Sequence, residues 1–466
     1  MTGEPGISNT GNILGDPKRS LIVMVVPIAI GMLVQALNNL VDAIWVSSLG
    51  TGALAATGVV FPFFFILVGI GNGLGVGASQ AIARRIGVGD RAGASSVAAQ
   101  VMVIGLVVGI AMTAVFALVA EQIFVAAGAG PYLEETLAYG IPIMVCSPIY
   151  MVSFIFSALL RSEGAAKKSM YIQVAGVAAH MVLDPILIFG LGMGITGAAV
   201  ASAMAMVIAS LMAVRYYTSG DMYVRFSFRG FRFDRELDRD ILRVGIPASL
   251  EMVLLSLSSM LMNLILESVD PVSGIAIYSS GWRILNILTM IAVSFGSALV
   301  PISAAAYGQG SYRRIREVYL FALKRGVAVM IAVAVLTEVA APLLVTLFTY
   351  SESSAALADE MTHFLRICAL FLPFYLIGVV TSSMFQSIGH GLWSLCVATL
   401  RNFMRIPLCF ALSFTMSLTM VWCGITMGEV IASSIVTVAG FMVLRRLRRE
   451  LGDDRSVQDS GPSNPL

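Results

Sequence analysis

Charge is what this sequence has least of. Only 12% of its 466 residues are Asp, Glu, Lys or Arg, about half the share found in ordinary soluble domains. Histidine occurs three times and cysteine five times. Cys146, Cys368, Cys396, Cys409 and Cys423 form no C-x-x-C and have no histidine at ligand spacing. That pattern supports neither a disulfide framework nor a structural zinc site, and it leaves them as small apolar side chains. There is no G-x-x-x-x-G-K-[ST] phosphate loop and no H-E-x-x-H pair, so nucleotide hydrolysis and zinc-dependent hydrolysis find no support. A net charge of +2 offers nucleic acid little to bind. The chain reads as a non-enzyme that needs no cofactor.

What fills the sequence instead is apolar: 58% of residues are hydrophobic and the mean hydropathy is +0.89. A membrane-spanning helix needs about 20 such residues. Twelve candidate spans follow, at about 20–46, 54–80, 95–120, 134–160, 168–190, 194–216, 243–267, 273–300, 320–349, 361–386, 393–416 and 419–444. The first is too long for a signal-peptide core and stays in the protein. The connections sort by charge. One side holds Arg84, Arg85, Arg91, Arg161, Lys167, Lys168, then Arg225 to Arg243, Arg313, Arg314, Arg316 and Arg445 to Arg449. The other holds Glu121, Glu134, Glu135, Glu267, Asp270, Glu352 and Asp359, with Arg366 as its one basic exception. The positive-inside rule then puts both termini in the cytoplasm of a cell-membrane protein, which demands an even number of spans.

The longest polar interruption, Ser219 to Asp240, is basic and aromatic (Tyr223, Phe226, Phe228, Arg229, Phe231) and reads as a connector, with contact to anionic headgroups as its other reading. On either side of it the halves match. Gly87-Val88-Gly89-Asp90-Arg91 returns as Gly308-Gln309-Gly310-Ser311-Tyr312 at an offset of 221, Pro27 as Pro247 at 220, and Arg161-Ser162-Glu163-Gly164 as Gln386-Ser387-Ile388-Gly389 at 225. Three ordered, near-constant offsets imply a duplicated six-helix unit, an arrangement typical of secondary transporters. The expected divisions are a cytoplasmic segment 1–19, a first lobe 20–216, a connector 217–242, a second lobe 243–445 and a tail 446–466. The fold class is an all-α polytopic membrane protein of twelve helices in two pseudo-symmetric lobes.

Carboxylates inside a bilayer are expensive and usually have a task. Asp42 in the first span and Asp184 in the fifth stand at similar depth in helices running the same way. A pair so placed can share a proton or a monovalent cation. His180, one turn before Asp184, shares its face, as a proton relay, a salt partner or a satisfied core histidine. Asp42 alone also reads as a satisfied acid near the outer end of its span. Pro27 inside the first span and Pro185 beside Asp184 are expected to bend their helices. The second half carries Glu251, Glu429, Arg283, Arg401 and Arg405, a mixed set that reads as mutual neutralisation with Glu251 held in reserve for coupling. Glu338 has no evident partner. The glycines of Gly71-Asn72-Gly73-Leu74-Gly75 lie inside a span, where they serve close helix packing rather than nucleotide binding.

These features carry a family resemblance: the first helix with Gln35…Asn38-Asn39…Asp42, the run Leu183-Asp184-Pro185-Ile186-Leu187-Ile188-Phe189, and Gly194-Ile195-Thr196-Gly197-Ala198-Ala199 after it. The chain resembles the multidrug and toxic compound extrusion (MATE) family, in its DinF-like branch, from about Pro27 to the last span. The resemblance implies two six-helix lobes in a V around a central cleft. It implies a monomeric antiporter that exports small organic cations or amphipathic drugs across the bilayer in exchange for protons or sodium. Asp42 and Asp184 would then couple to the ion, with Tyr139 and Ser202 as polar neighbours. Gln35, Asn38 and Asn39 would face substrate. The chain departs from the family pattern at His180, where asparagine is frequent, and at Ser202, where threonine is usual. An imidazole suits protons better than sodium. No acid occurs in the tenth span to partner Glu251, which leaves a second-lobe cation site incomplete. A flippase for lipid-linked saccharides on a related architecture is the alternative, hinted at by Arg401 and Arg405. A receptor or intramembrane enzyme finds no constellation to support it.

Overall fold

The computed structural model describes residues 7–226, 231–271, 273–346 and 357–452. Phe228, Arg229, Glu352 and the tail from 453 lie outside the described residues. Within them every regular element is helical. In chain order these are α1 (Ile7–Leu14), α2 (Pro17–Ser47), α3 (Thr51–Gly87), α4 (Arg91–Ala126), α5 (Leu133–Val145), α6 (Ser147–Ser162), α7 (Ala166–Pro185) and α8 (Gly194–Thr218). They continue with α9 (Arg235–Val269), α10 (Gly274–Gly308), α11 (Tyr312–Thr346), α12 (Ala358–Ala369), α13 (Leu372–Ser387), α14 (Gly391–Ser413) and α15 (Leu418–Leu451). Among the described residues ten helices are long and apolar enough to cross a membrane, and counting each of two bent pairs as one span gives twelve. Several run well past the apolar stretch into charged sequence, as α9 does in starting at Arg235.

The chain divides into two compact units, one of Met1–Gly15 with Ile22–Val253 and one of Asp16–Leu21 with Leu254–Leu466. One boundary falls just before α2, and the others fall inside α2 and α9. Both helices carry their prolines, Pro27 and Pro247, within one unbroken helix. The sharp bends lie elsewhere: 52° between α5 and α6 and 47° between α12 and α13. Each bend is followed by a proline in the first turn of the next helix, Pro148 and Pro373, where the missing N–H has no partner to lose. These two are 225 residues apart, the offset already seen at Arg161 and Gln386.

In the first unit α3 is the packing spine, and its glycines make it one. A Cβ on Gly71 or Gly75 would press into Phe154 or Ala158 of α6. A Cβ on Gly73 or Gly77 would strike the backbone of α9 around Gly245 and Ile241. Two helix faces therefore reach close approach through alternating glycines, the small-residue packing that membranes favour. In the second unit the centre is aromatic. Tyr278, Phe364 and Trp422 are buried and meet edge-on or stacked, a geometry that suits ring quadrupoles.

Candidate ion site

The site is built on a seam between α2 and α7, two helices matched residue for residue at a constant offset of 142. At one end a Cβ on Gly31 would sit 3.2 Å from the Gln173 side chain. Two turns on, Asn38 meets His180. One turn further come Asp42 and Asp184, and then Val46 and Ile188 in one apolar cluster. Asn38/Asp42 and His180/Asp184 each lie four residues apart, so each pair shares a helix face. The seam thus brings all four polar groups together.

Their geometry is specific. Asp42, His180 and Asp184 each offer an atom lying within 4.8 Å of the others, so the set is able to hold a cation. Asn38, His180 and Asp184 are buried, and Asp42 is half-buried. The His180 Nε2 lies 2.7 Å from the Ser202 hydroxyl of α8 and 3.4 Å from Asp184 Oδ1. Its Nδ1 lies 3.0 Å from Asn38 Nδ2 and 3.1 Å from Asn38 Oδ1. An amide facing a ring nitrogen in this way donates to it when it is bare and accepts from it when it carries a proton. Ser202 has the same versatility at the other nitrogen. The imidazole can therefore gain, lose or exchange a proton without losing its partners.

The carboxylates are not so well served. Both oxygens of Asp184 and Oδ1 of Asp42 are buried without a hydrogen bond. Burying an ionised carboxylate without partners costs several kcal/mol, on the order given by transfer measurements, so the cluster is one that a proton or a cation could complete. An apolar cap closes the far end: Val46, Ala53, Ala56, Ile188, Ile195 and Ala198, with Trp45 and Tyr139 packed against it. Tyr139, on α5, lies within electrostatic reach of both acids. Beside Asp184, α7 ends at Pro185 and gives way to a π-helical turn over Ile186–Gly190, an irregularity frequent at functional positions.

The other expected site residues lie apart from this cluster. Gln35 is half-buried and Asn39 exposed on α2, whereas Asn38 is taken up by His180. Glu251 lies on α9, half-buried. In the second unit, Arg401 binds Glu429 at 2.8 Å and stacks over Tyr375 at 4.4 Å. Arg405 donates to the Ser258 hydroxyl at 2.9 and 3.2 Å and covers Trp282. Arg283 is exposed. Glu338 has a partner after all: Arg366, the basic exception to the loop pattern, comes within 4.0 Å of it. Cys396 is exposed rather than buried. Sequence reasoning missed the bond between Asn38 and His180, although the matching four-residue spacings of Asn38/Asp42 and His180/Asp184 were a signal for it. It also passed over Glu163, which sits fully buried at the end of α6. There it accepts from Tyr217 Oη at 2.9 Å and from the backbone N–H groups of Tyr223 and Val224 at 2.7 and 3.0 Å.

Comparison with known proteins places this geometry in context. The family model described as MatE matches residues 27–186 and 247–411. The chain is 27% identical over 433 residues to the multidrug export protein MepA of Staphylococcus saprophyticus, covering 92% of this chain and 94% of that one. A solved structure described as the outward-facing conformation of a multidrug resistance MATE family transporter of the MOP superfamily superposes with a TM-score of 0.93. It is 34% identical, and the match covers 96% of this chain and all of that one. A structure described as MATE in the bent conformation gives 0.90 at 33% identity, over 96% of this chain and 99% of that one.

Proposed function

The chain belongs to the MATE family, a family of multi-pass membrane transporters rather than enzymes, and we propose that it exports cationic or amphipathic organic compounds in exchange for inward-moving protons. Its similarity to MepA supports multidrug export. One observation carries the coupling assignment: the buried Asp42–His180–Asp184 cluster, whose carboxylate oxygens lack hydrogen bonds. Asp42, the more open acid, takes up the ion, and Asp184, the closed one, holds it. His180 passes a proton between Asp184 and Ser202, held by Asn38 in each protonation state. The proton is the ion of choice because His180 Nδ1 and Nε2 are already engaged by Asn38 and Ser202. A sodium ion at Asp42 and Asp184 would have to displace one of these contacts to gain nitrogen ligation. Gln35 and Asn39, on the same helix but outside the cluster, contact substrate. Binding at Asp42 and Asp184 changes the course of α2 about Pro27, and with it access to the substrate.

The test is drug transport by the purified protein in proteoliposomes under imposed proton and sodium gradients in turn. Transport should follow the proton gradient and be uncoupled from it in Asp42→Asn and Asp184→Asn. If both variants still follow the gradient, the carboxylates are not the coupling groups. Transport that follows sodium alone would replace the proton with that ion. A flippase of saccharide-pyrophosphates would need free guanidinium groups, and Arg401 is bound to Glu429.

A further inference from the structure

The second unit has a basic groove that the ion cluster does not use. It encloses a cavity of about 530 Å³ between Lys18, in the first turn of α2, and one face of α11. On that face Arg313 and Arg316 stand at one end, Lys324 and Arg325 at the other, and Leu320 and Phe321 between them. The spacing of three and four residues sets them in one stripe. Among the described residues the groove contains one carboxylate, Glu317, and Lys18 already binds it at 2.9 Å. Five cations face one acid, and Arg313, Arg316, Lys324 and Arg325 are exposed.

The height of the groove follows from helix geometry. Gly326 to Thr346 is the uninterrupted remainder of α11. At about 1.5 Å per residue those residues span roughly 30 Å, the thickness of the hydrocarbon core. The basic face therefore lies at the level of the lipid headgroups, with an apolar pair at its centre.

The repeat provides an internal control. At the offset of 221, the counterparts of the α11 groove residues are Ala92, Ser95, Ser96, Ala99, Gln100, Val103 and Ile104 on α4, with no cation among them. That face binds protein instead. Ser95 accepts from the Arg225 N–H at 3.1 Å, and Gln100 donates to the Arg232 carbonyl at 2.8 Å. One copy of the face is covered by the chain's own connector, and the other is basic and exposed.

We propose that the groove of Lys18 and α11 binds the phosphate-bearing headgroup of an anionic membrane phospholipid, with Leu320 and Phe321 against its glycerol and first methylenes. Basic recesses between membrane helices hold such headgroups by charge, with each cation contributing about a fivefold gain in binding. The experiment is native mass spectrometry of the full chain exchanged into mixed micelles of phosphatidylglycerol and phosphatidylcholine. The intact protein should retain phosphatidylglycerol at least tenfold over phosphatidylcholine. Arg316→Gln/Lys324→Gln/Arg325→Gln should abolish that preference, while Glu317→Gln, which removes the competing acid, should raise it severalfold. Because the two variants move in opposite directions, a folding defect cannot account for both. Equal retention by all three proteins would overturn the assignment. So would displacement of the lipid by millimolar inorganic phosphate, which would make this a site for a free anion. A preference that appears only after residues 453–466 are removed would also overturn it, by showing that the groove belongs to the chain's own tail.

Discussion

The two units treat buried charge in opposite ways. In the first, two carboxylates face a single imidazole, and Asp184 has no hydrogen bond on either oxygen. In the second, the Glu429 carboxylate is bonded to Arg401 at 2.8 Å, and the guanidinium rests on the Tyr375 ring. A charge satisfied by its own neighbours contributes to structure and has no capacity left for an ion. One left incomplete is unstable until something binds it, which is what a coupling site requires. The duplicated architecture thus carries one incomplete cluster, the site proposed for coupling, and one neutralised pair. The largest expected effect separates them: Asp184→Asn should lower gradient-driven transport by about a hundredfold or more, the scale of losing an essential proton-transfer group, without lowering thermal stability. An amide there gives up no hydrogen bond, only the 3.4 Å contact with His180 Nε2. If Asp184→Asn instead unfolds the protein, the acid is structural and the contrast between the units fails.

Arg401→Gln should behave in the reverse manner. It strands Glu429 in a poorly hydrated setting, and breaking one side of such a pair typically costs about 3–5 kcal/mol. The loss should appear as a lower midpoint of unfolding in detergent. The double variant Arg401→Gln/Glu429→Gln should recover most of it, and transport by the double variant should stay coupled to the gradient. Uncoupled transport in the double variant would move the second unit into the mechanism.

Glu163 offers a third contrast, outside the spans. Its counterpart at the offset of 225 is Ile388, so only the first unit has a carboxylate at this turn. Burial raises the Glu163 carboxyl from its ordinary 4.5 to about 7, against the opposing pull of bonds from Val224, Tyr217 and Tyr223 and the charge of Lys168. A raised carboxylate pKa means that the folded state holds the proton more tightly than the unfolded one. The stabilising contribution is therefore complete below about pH 4.5 and is lost as the pH rises through about 7. Amide-exchange protection of residues 221–226 should fall by up to about a hundredfold between pH 5 and pH 8. Glu163→Gln should hold it near the low-pH level throughout. Protection that is flat with pH in the unaltered protein would show that the connector does not depend on this group.

How much of this was legible in the sequence depends on how local each feature is. The spans were legible because hydropathy is summed over neighbours along the chain, and among the described residues each of the twelve candidate stretches overlaps a helical segment, with each bent pair taken as one. Helix ends were less so: α9 begins eight residues before its candidate span because backbone bonding continues after the apolar run stops. Bends were expected at Pro27 and Pro185; α7 does give way to a π-helical turn after Pro185, whereas the broken spans are those of Pro148 and Pro373. A proline inside a membrane helix can be accommodated by its neighbours. One in a first turn permits a break because its absent N–H leaves no bond to lose. Pairings across distant sequence were hardest to read. Asp42 and Asp184 stood out by cost alone, but the Asn38–His180 bond and the Glu338–Arg366 pair depend on which helices pack together.

The smallest expected effect concerns a feature that both units share. Ser157 and Ser169 lie 3.0 Å apart in the first unit, and Ser382 and Ser394, at the offset of 225, lie 2.7 Å apart in the second. The residue bridging to the pair differs. Arg161 donates to Ser157 at 2.8 Å, and Gln386 donates to Ser394 at 2.9 Å. A hydrogen bond from a neutral group contributes about 1 kcal/mol and one from a charged group about 1.5–3 kcal/mol. Ser157→Ala should therefore destabilise the protein more than Ser394→Ala, although the two serines are buried alike. The difference should shrink when Arg161 is first replaced by Gln, which gives the first unit the bridging residue of the second. Denaturant unfolding of the four variants measures this directly. A gap that persists in the Arg161→Gln background would place its origin in the packing around the serines rather than in the charge.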